Sequence, residues 1–189
     1  MFTRTFIGWA AYLSAAANIV GFLTLIAFFS VGEPFGAIND LTTVILALSM
    51  VPLAFALHKL HQRIAPRLSL GAFVVGVLAM VTAAALSALL VLGLVELELT
   101  LVASPFAFGV IGVWLVLNSY LGRSSGTLPS GLIWVGIVAG AGFVLVIVGF
   151  LLGGQQHPLA AVGGLTAVTC YPIWAVWFGR LLLAGRVPA

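Results

Sequence analysis

Charge is the scarcest resource in this chain. Of its 189 residues only 6% are Asp, Glu, Lys or Arg, where soluble domains carry roughly a quarter. So few charges cannot cover a water-facing surface, so lipid is the expected solvent. Cysteine occurs once, at Cys170. That excludes an internal disulfide and a cysteine-based metal cluster. The acids number four: Glu33, Asp40, Glu96 and Glu98. None falls at the middle of a long apolar run, and neither does any cation. Proton- and ion-driven transporters usually keep ionisable groups at mid-depth, so this absence counts against that class, although carbonyls at broken helices can also hold ions. Enzyme signatures are missing too: there is no Gly-x-Ser-x-Gly, Walker loop, His-Glu-x-x-His or CxxC. We name no catalytic residue and no metal ligand. An outward-facing site built from Glu33, Asp40 and His157 has no motif behind it.

What is present is apolar: 63% of residues, with a mean hydropathy of +1.29. Six runs reach the length of about 20 residues needed to cross a bilayer. They cover approximately residues 6–30, 41–58, 68–94, 101–121, 131–153 and 159–183. The expected fold class is all-α: a single polytopic bundle of six transmembrane helices over residues 1–189. Asn39 or Asp40 is expected to cap the second helix, since its side-chain oxygen can accept from free backbone N–H groups. The start of the chain, with Arg4, an apolar run and Ala15-Ala16-Ala17, resembles a signal peptide. The run continues to Phe29, longer than the 7–15 residues of a signal h-region, so a retained first helix is expected.

The charges orient the bundle. Lys59, Arg63 and Arg67 form one basic stretch between the second and third runs. With six crossings, Arg4, Arg123, Arg180 and Arg186 fall on that same side, and all four acids fall on the other. The positive-inside rule then places both termini in the cytoplasm of a cell inner (plasma) membrane. A net charge of +3 would suggest nucleic acid in a soluble protein. Here helix-end orientation explains the cations, and a nucleic-acid partner is set aside.

Trp9, Trp134 and Trp177 lie near the cytoplasmic ends, and Trp114 and Trp174 somewhat deeper. They read either as half of an aromatic belt at the headgroups or as the lining of an inward-opening cavity. Helix five carries Gly136, Gly140, Gly142, Gly149 and Gly153. Helix six opens with Gly163-Gly164, and helix three carries Gly71, Gly76, Ala79, Ala83 and Ala84. Small residues let backbones approach where lipid supplies no hydrophobic drive, so helices three, five and six are expected to form the tight core. The three returning helices share a weak pattern, with Pro52 and Pro172 each removing a backbone hydrogen bond inside a span.

The candidate ligand-binding residues follow from depth and polarity. Asn18 places a primary amide in hydrocarbon, where it needs either an interhelical hydrogen bond or a ligand. Tyr171, Trp174 and Trp114 sit at the level of the prolines, while Asn118 and His58 lie nearer the headgroups. Together they suggest an inward-opening pocket between helices two, four and six for a neutral or lipophilic guest. The competing expectation is that tight packing absorbs both prolines and the aromatics face lipid. His58 and His61 are close enough on one helix to chelate a metal but lack a third ligand, and sharing one helix they cannot bracket a haem. They read more simply as headgroup-level histidines.

At Asn118-Ser119-Tyr120-Leu121-Gly122-Arg123-Ser124-Ser125-Gly126-Thr127-Leu128-Pro129 the chain resembles a loose set of bacterial multi-pass membrane proteins of unknown function. In these, a helix end, an arginine, Ser-Gly and Leu-Pro lead into a glycine-rich helix. His157-Pro158-Leu159 and Tyr171-Pro172-Ile173-Trp174-Ala175 fit the same resemblance. It implies a fold of about six helices and carries no activity or cofactor. The expected function is a non-catalytic integral membrane protein in contact with the lipid bilayer. It would be an accessory subunit among other membrane subunits, or a binder of a lipophilic small molecule. The alternative is a transporter or channel-like protein for a small uncharged solute.

Overall fold

The computed structural model describes residues 3–154 and 156–187. Gln155, part of the expected turn before the last helix, lies outside them. Six α-helices follow in order: α1 Arg4–Val31, α2 Phe35–His61, α3 Pro66–Val91, α4 Leu97–Ser125, α5 Ser130–Gly153 and α6 Pro158–Leu183. All six are long and apolar enough to cross a membrane, which fits a multi-pass membrane protein.

The helix ends follow local chemistry. Thr3 Oγ1 accepts from the Phe6 amide at 3.2 Å and starts α1. His157 Nδ1 does the same for the Leu159 amide at 3.3 Å, ahead of Pro158 at the start of α6. Glu96 stands at the N-cap of α4 and Glu98 in its first turn, where negative charge faces the positive end of the helix dipole. That helix ends at Gly126, whose φ of 64° needs a residue without a β-carbon. The second helix corrects the expectation for its start. It begins at Phe35, directly behind Pro34, so Asn39 and Asp40 lie inside it rather than capping it. Proline's fixed φ suits a helix entrance. The Asn39 carbonyl instead accepts the hydroxyls of Thr42 and Thr43 at 2.8 and 3.0 Å.

Each helix packs on its neighbours in sequence, and α1 closes the ring on α6. In addition α2 touches α4 across the interior. All neighbours are antiparallel: Gly8 at the start of α1 meets Leu183 and Gly179 at the end of α6, and His58 near the end of α2 meets Ser69 near the start of α3. Every Lys and Arg side chain therefore gathers at one end of the bundle, and every Asp and Glu at the other. We call these the basic and acidic ends.

The expected tight core of helices three, five and six is corrected. The closest backbone approaches lie along α4–α5–α6, while α3 packs against α2 and α4. A β-carbon on Gly140 would sit 2.5 Å from the Gly112 carbonyl oxygen of α4, and one on Gly163 would sit 2.6 Å from the Gly142 carbonyl oxygen. Only hydrogen fits at these crossings, which brings the backbones into van der Waals contact. The small residues of α3 serve a different contact: Ala83 and Ala84 meet Ala47 of α2 and Ala107 of α4.

The core is lopsided. Ile7, Leu57, Leu132, Phe178 and Leu182, all fully buried, fill the basic half. Toward the acidic end it thins to the alanine cluster just described. The outer surface is apolar throughout, with Phe29, Val31 and Leu151 each about 70% exposed. Two buried serine hydroxyls return to their own helices: Ser14 donates to the Ala11 carbonyl at 2.8 Å and Ser49 to that of Leu46 at 2.9 Å. This is how Ser and Thr satisfy themselves where water is absent.

Candidate functional site

The centre of the bundle is an aromatic column. Phe143 of α5 meets Tyr171 of α6 edge-on at 6.0 Å between centroids. Tyr171 stacks on Trp174 at 6.1 Å, and Trp174 on Phe178 at 5.2 Å. Positions 171, 174 and 178 recur every three to four residues and so share one face of α6. The Tyr171 hydroxyl donates to Ser14 Oγ at 2.8 Å, tying α6 to α1. Tyr171 and Trp174 are 0% and 1% exposed, so neither faces lipid. They fill the interior between the helices where an inward-opening pocket was expected.

The five tryptophans divide by depth. Trp9 and Trp134 are more than half exposed and Trp177 about a third, all near the basic end. Trp114 and Trp174 are buried. Arg123 lies over the Trp134 ring at 5.5 Å, a cation–π contact at that rim.

The remaining candidates do not converge on the column. Asn118 is buried on α4, and its amide donates to the Trp114 carbonyl one turn earlier at 2.8 Å. His58 is half-buried; its Nδ1 pairs with Ser69 Oγ at 2.9 Å and its ring stacks on Phe73 at 5.2 Å, both on α3. Asn18 is 9% exposed, and its Oδ1 has no hydrogen-bond partner among the described residues.

Three polar residues escaped the sequence reading. His61, expected at the headgroup level, is 1% exposed and faces Asn118, and neither ring nitrogen has a hydrogen-bond partner among the described residues. Ser119 is buried beside Trp174 against Gly136, and its Oγ and the Trp174 Nε1 likewise have no partner among the described residues. The third is Ser14, the partner of Tyr171. Helical spacing carried the signal for two of them. Leu53, Leu57, Leu60 and His61 form one stripe, and Ile7, Ala11, Ser14 and Asn18 another. No group of three or more His, Cys, Asp or Glu side chains gathers among the described residues.

Among the described residues, two grooves stand out on the outer surface. One, of about 240 Å³, runs between the start of α3 and the second half of α4. Its α3 wall is Arg67, Leu68, Gly71, Ala72 and Val75, and its α4 wall is Val110, Val113, Trp114 and Leu117. Glycine makes this notch: a β-carbon on Gly71 would find no atom within 4 Å. Deeper along α3, Gly76 makes room for the Trp114 indole, which a β-carbon there would meet. Of the candidate residues, Trp114 lines this groove. The other groove, of about 440 Å³, lies between α4 and α5 at the acidic end, with Glu98 at its mouth and Phe106 and Phe150 in its walls.

No family model, curated protein or solved structure matches the chain. The resemblance to bacterial multi-pass proteins therefore stands on its quoted residues alone. The part of it that the structure carries is six helices of membrane-spanning length.

Proposed function

We propose that this chain is a six-crossing integral protein of the inner membrane with both termini in the cytoplasm. Its role is that of a non-catalytic binder of a lipophilic small molecule, taken sideways from the bilayer into the α3/α4 groove. The observation that carries this reading is the groove itself: apolar walls that include Trp114, and open space at Gly71. Apolar lining with one or two polar groups is the usual composition of a small-molecule site. The filled aromatic column supports a guest at the side of the bundle over a solute path along its axis. The orientation rests on the segregation of charge, with every cation at one end.

The test compares wild type with Gly71→Leu after gentle extraction, using native mass spectrometry to count retained small molecules. The leucine enters open space and replaces the poorest ordinary helix former, so the fold is kept. Loss of a bound species in the variant supports the groove. Equal retention in both proteins refutes it.

A further inference from the structure

We infer that the groove's occupant is an anionic membrane phospholipid, with one acyl chain between α3 and α4 and its phosphate at Arg67. This rests on the lateral-groove reading above and names its guest. Three observations meet here. Arg67 lies at the mouth of the groove, in the first turn of α3. The groove then runs along α3 to Val75, about 12 Å at 1.5 Å per residue, in the direction an acyl chain takes from its headgroup. Finally, the basic end holds no Asp or Glu, because all four lie at the other end. A guanidinium in the headgroup layer then finds its counter-charge in lipid phosphate, which suits its forked donors. The start of α3 adds to the attraction, because Ala65 at the N-cap makes no side-chain bond to the first free amides. Basic pockets between helices on the cytoplasmic side recognise anionic headgroups by this chemistry.

The second groove provides an internal contrast. It is larger and equally apolar in its walls, but Glu98 stands at its mouth. A carboxylate there repels the same headgroup, so only the α3/α4 groove should select anionic lipid.

The experiment is native mass spectrometry of the full chain, titrated with phosphatidylglycerol and, separately, with phosphatidylcholine of the same acyl chains. Four proteins are compared: wild type, Arg67→Gln, Gly71→Leu and Arg123→Gln. Circular dichroism confirms the fold of each. Wild type is expected to prefer phosphatidylglycerol. Arg67→Gln should lower that preference about fivefold, the order expected for one cation near an anionic surface, while still retaining lipid. Arg123→Gln removes a cation from the same end but away from the groove, over Trp134, and should leave the preference intact. An unchanged preference in Arg67→Gln, or an equal fall in Arg123→Gln, overturns the assignment of the headgroup. If Gly71→Leu retains both lipids as wild type does, the groove reading falls with it. If Gly71→Leu loses lipid while Arg67→Gln keeps the preference, only the anionic assignment falls.

Discussion

Replacing Tyr171 with phenylalanine removes one oxygen from the middle of the bundle. That hydroxyl is fully buried and donates to Ser14 Oγ at 2.8 Å, while Ser14 donates onward to the Ala11 carbonyl at 2.8 Å. Phenylalanine keeps the ring against Phe143 and Trp174, and Ser14 keeps its own bond to α1. The loss is therefore one interhelical hydrogen bond. Such bonds contribute about 0.6 kcal/mol on average in membranes, and up to about 1.7. Ser14→Ala acts on the same bond from the other side, with a different result. It strands the phenol donor in a dry interior, which costs about 1–3 kcal/mol. Ser14→Ala is thus expected to destabilise more than Tyr171→Phe. The double variant should fall short of the sum of the single ones by roughly the energy of the bond. Tyr171→Ala also opens a cavity in the column and should cost about 3–5 kcal/mol, the range for large aromatic truncations. Reversible unfolding in mixed micelles measures all four. Additive single effects, or a Tyr171→Phe cost above that of Ser14→Ala, would refute the tie between α1 and α6.

Gly163→Ala should destabilise by about 1–3 kcal/mol, because its β-carbon would meet the backbone of α5. Gly164→Ala, next in sequence but with open space around it, should be neutral or slightly stabilising in the same unfolding assay. Asn18→Leu should raise stability by about 1 kcal/mol, because it removes a buried carbonyl oxygen that has no partner among the described residues; a loss of stability would mean that the amide holds a bond in the bilayer. For orientation, single cysteines are placed at Ser124 and Gln156 in a Cys170→Ser background. An impermeant thiol reagent added to intact cells should label position 156 and spare position 124, and the reverse pattern would overturn the cytoplasmic placement of the basic end.

The six helices were legible because each is a long apolar run bounded by Gly, Pro or charge, and their alternating direction followed from where Arg4, Lys59, Arg123 and Glu96 stand. The order of packing was not. Glycine stripes on α3 and α5 look alike in sequence, yet Gly140 meets a backbone while Gly71 faces open space. A small residue records a permitted approach without recording which neighbour makes it. The start of α2 was misplaced because Asn39 and Asp40 are strong caps in isolation, whereas Pro34, five residues earlier, already fits the entrance. His61 was hidden by its neighbours Lys59 and Arg63. Its charged surroundings suggested a loop, but the helical stripe through Leu57 carries it inward. For the candidate site, depth alone grouped Tyr171, Trp174, Trp114, Asn118, His58 and Asn18. Side-chain direction separates them, and direction depends on helix rotation, which single-sequence hydropathy does not fix when a helix is apolar all round.

The central claim is a lipophilic guest held between α3 and α4. Its most direct test is photocrosslinking in nanodiscs with a phospholipid whose acyl chain carries a diazirine, followed by peptide mapping. Adducts should concentrate on residues 67–75 and 110–117, the two walls of the groove. The comparison is the exposed stretch of α1 around Leu23 and Ile26. Adducts spread evenly over both surfaces, and unchanged by Gly71→Leu, would contradict the claim.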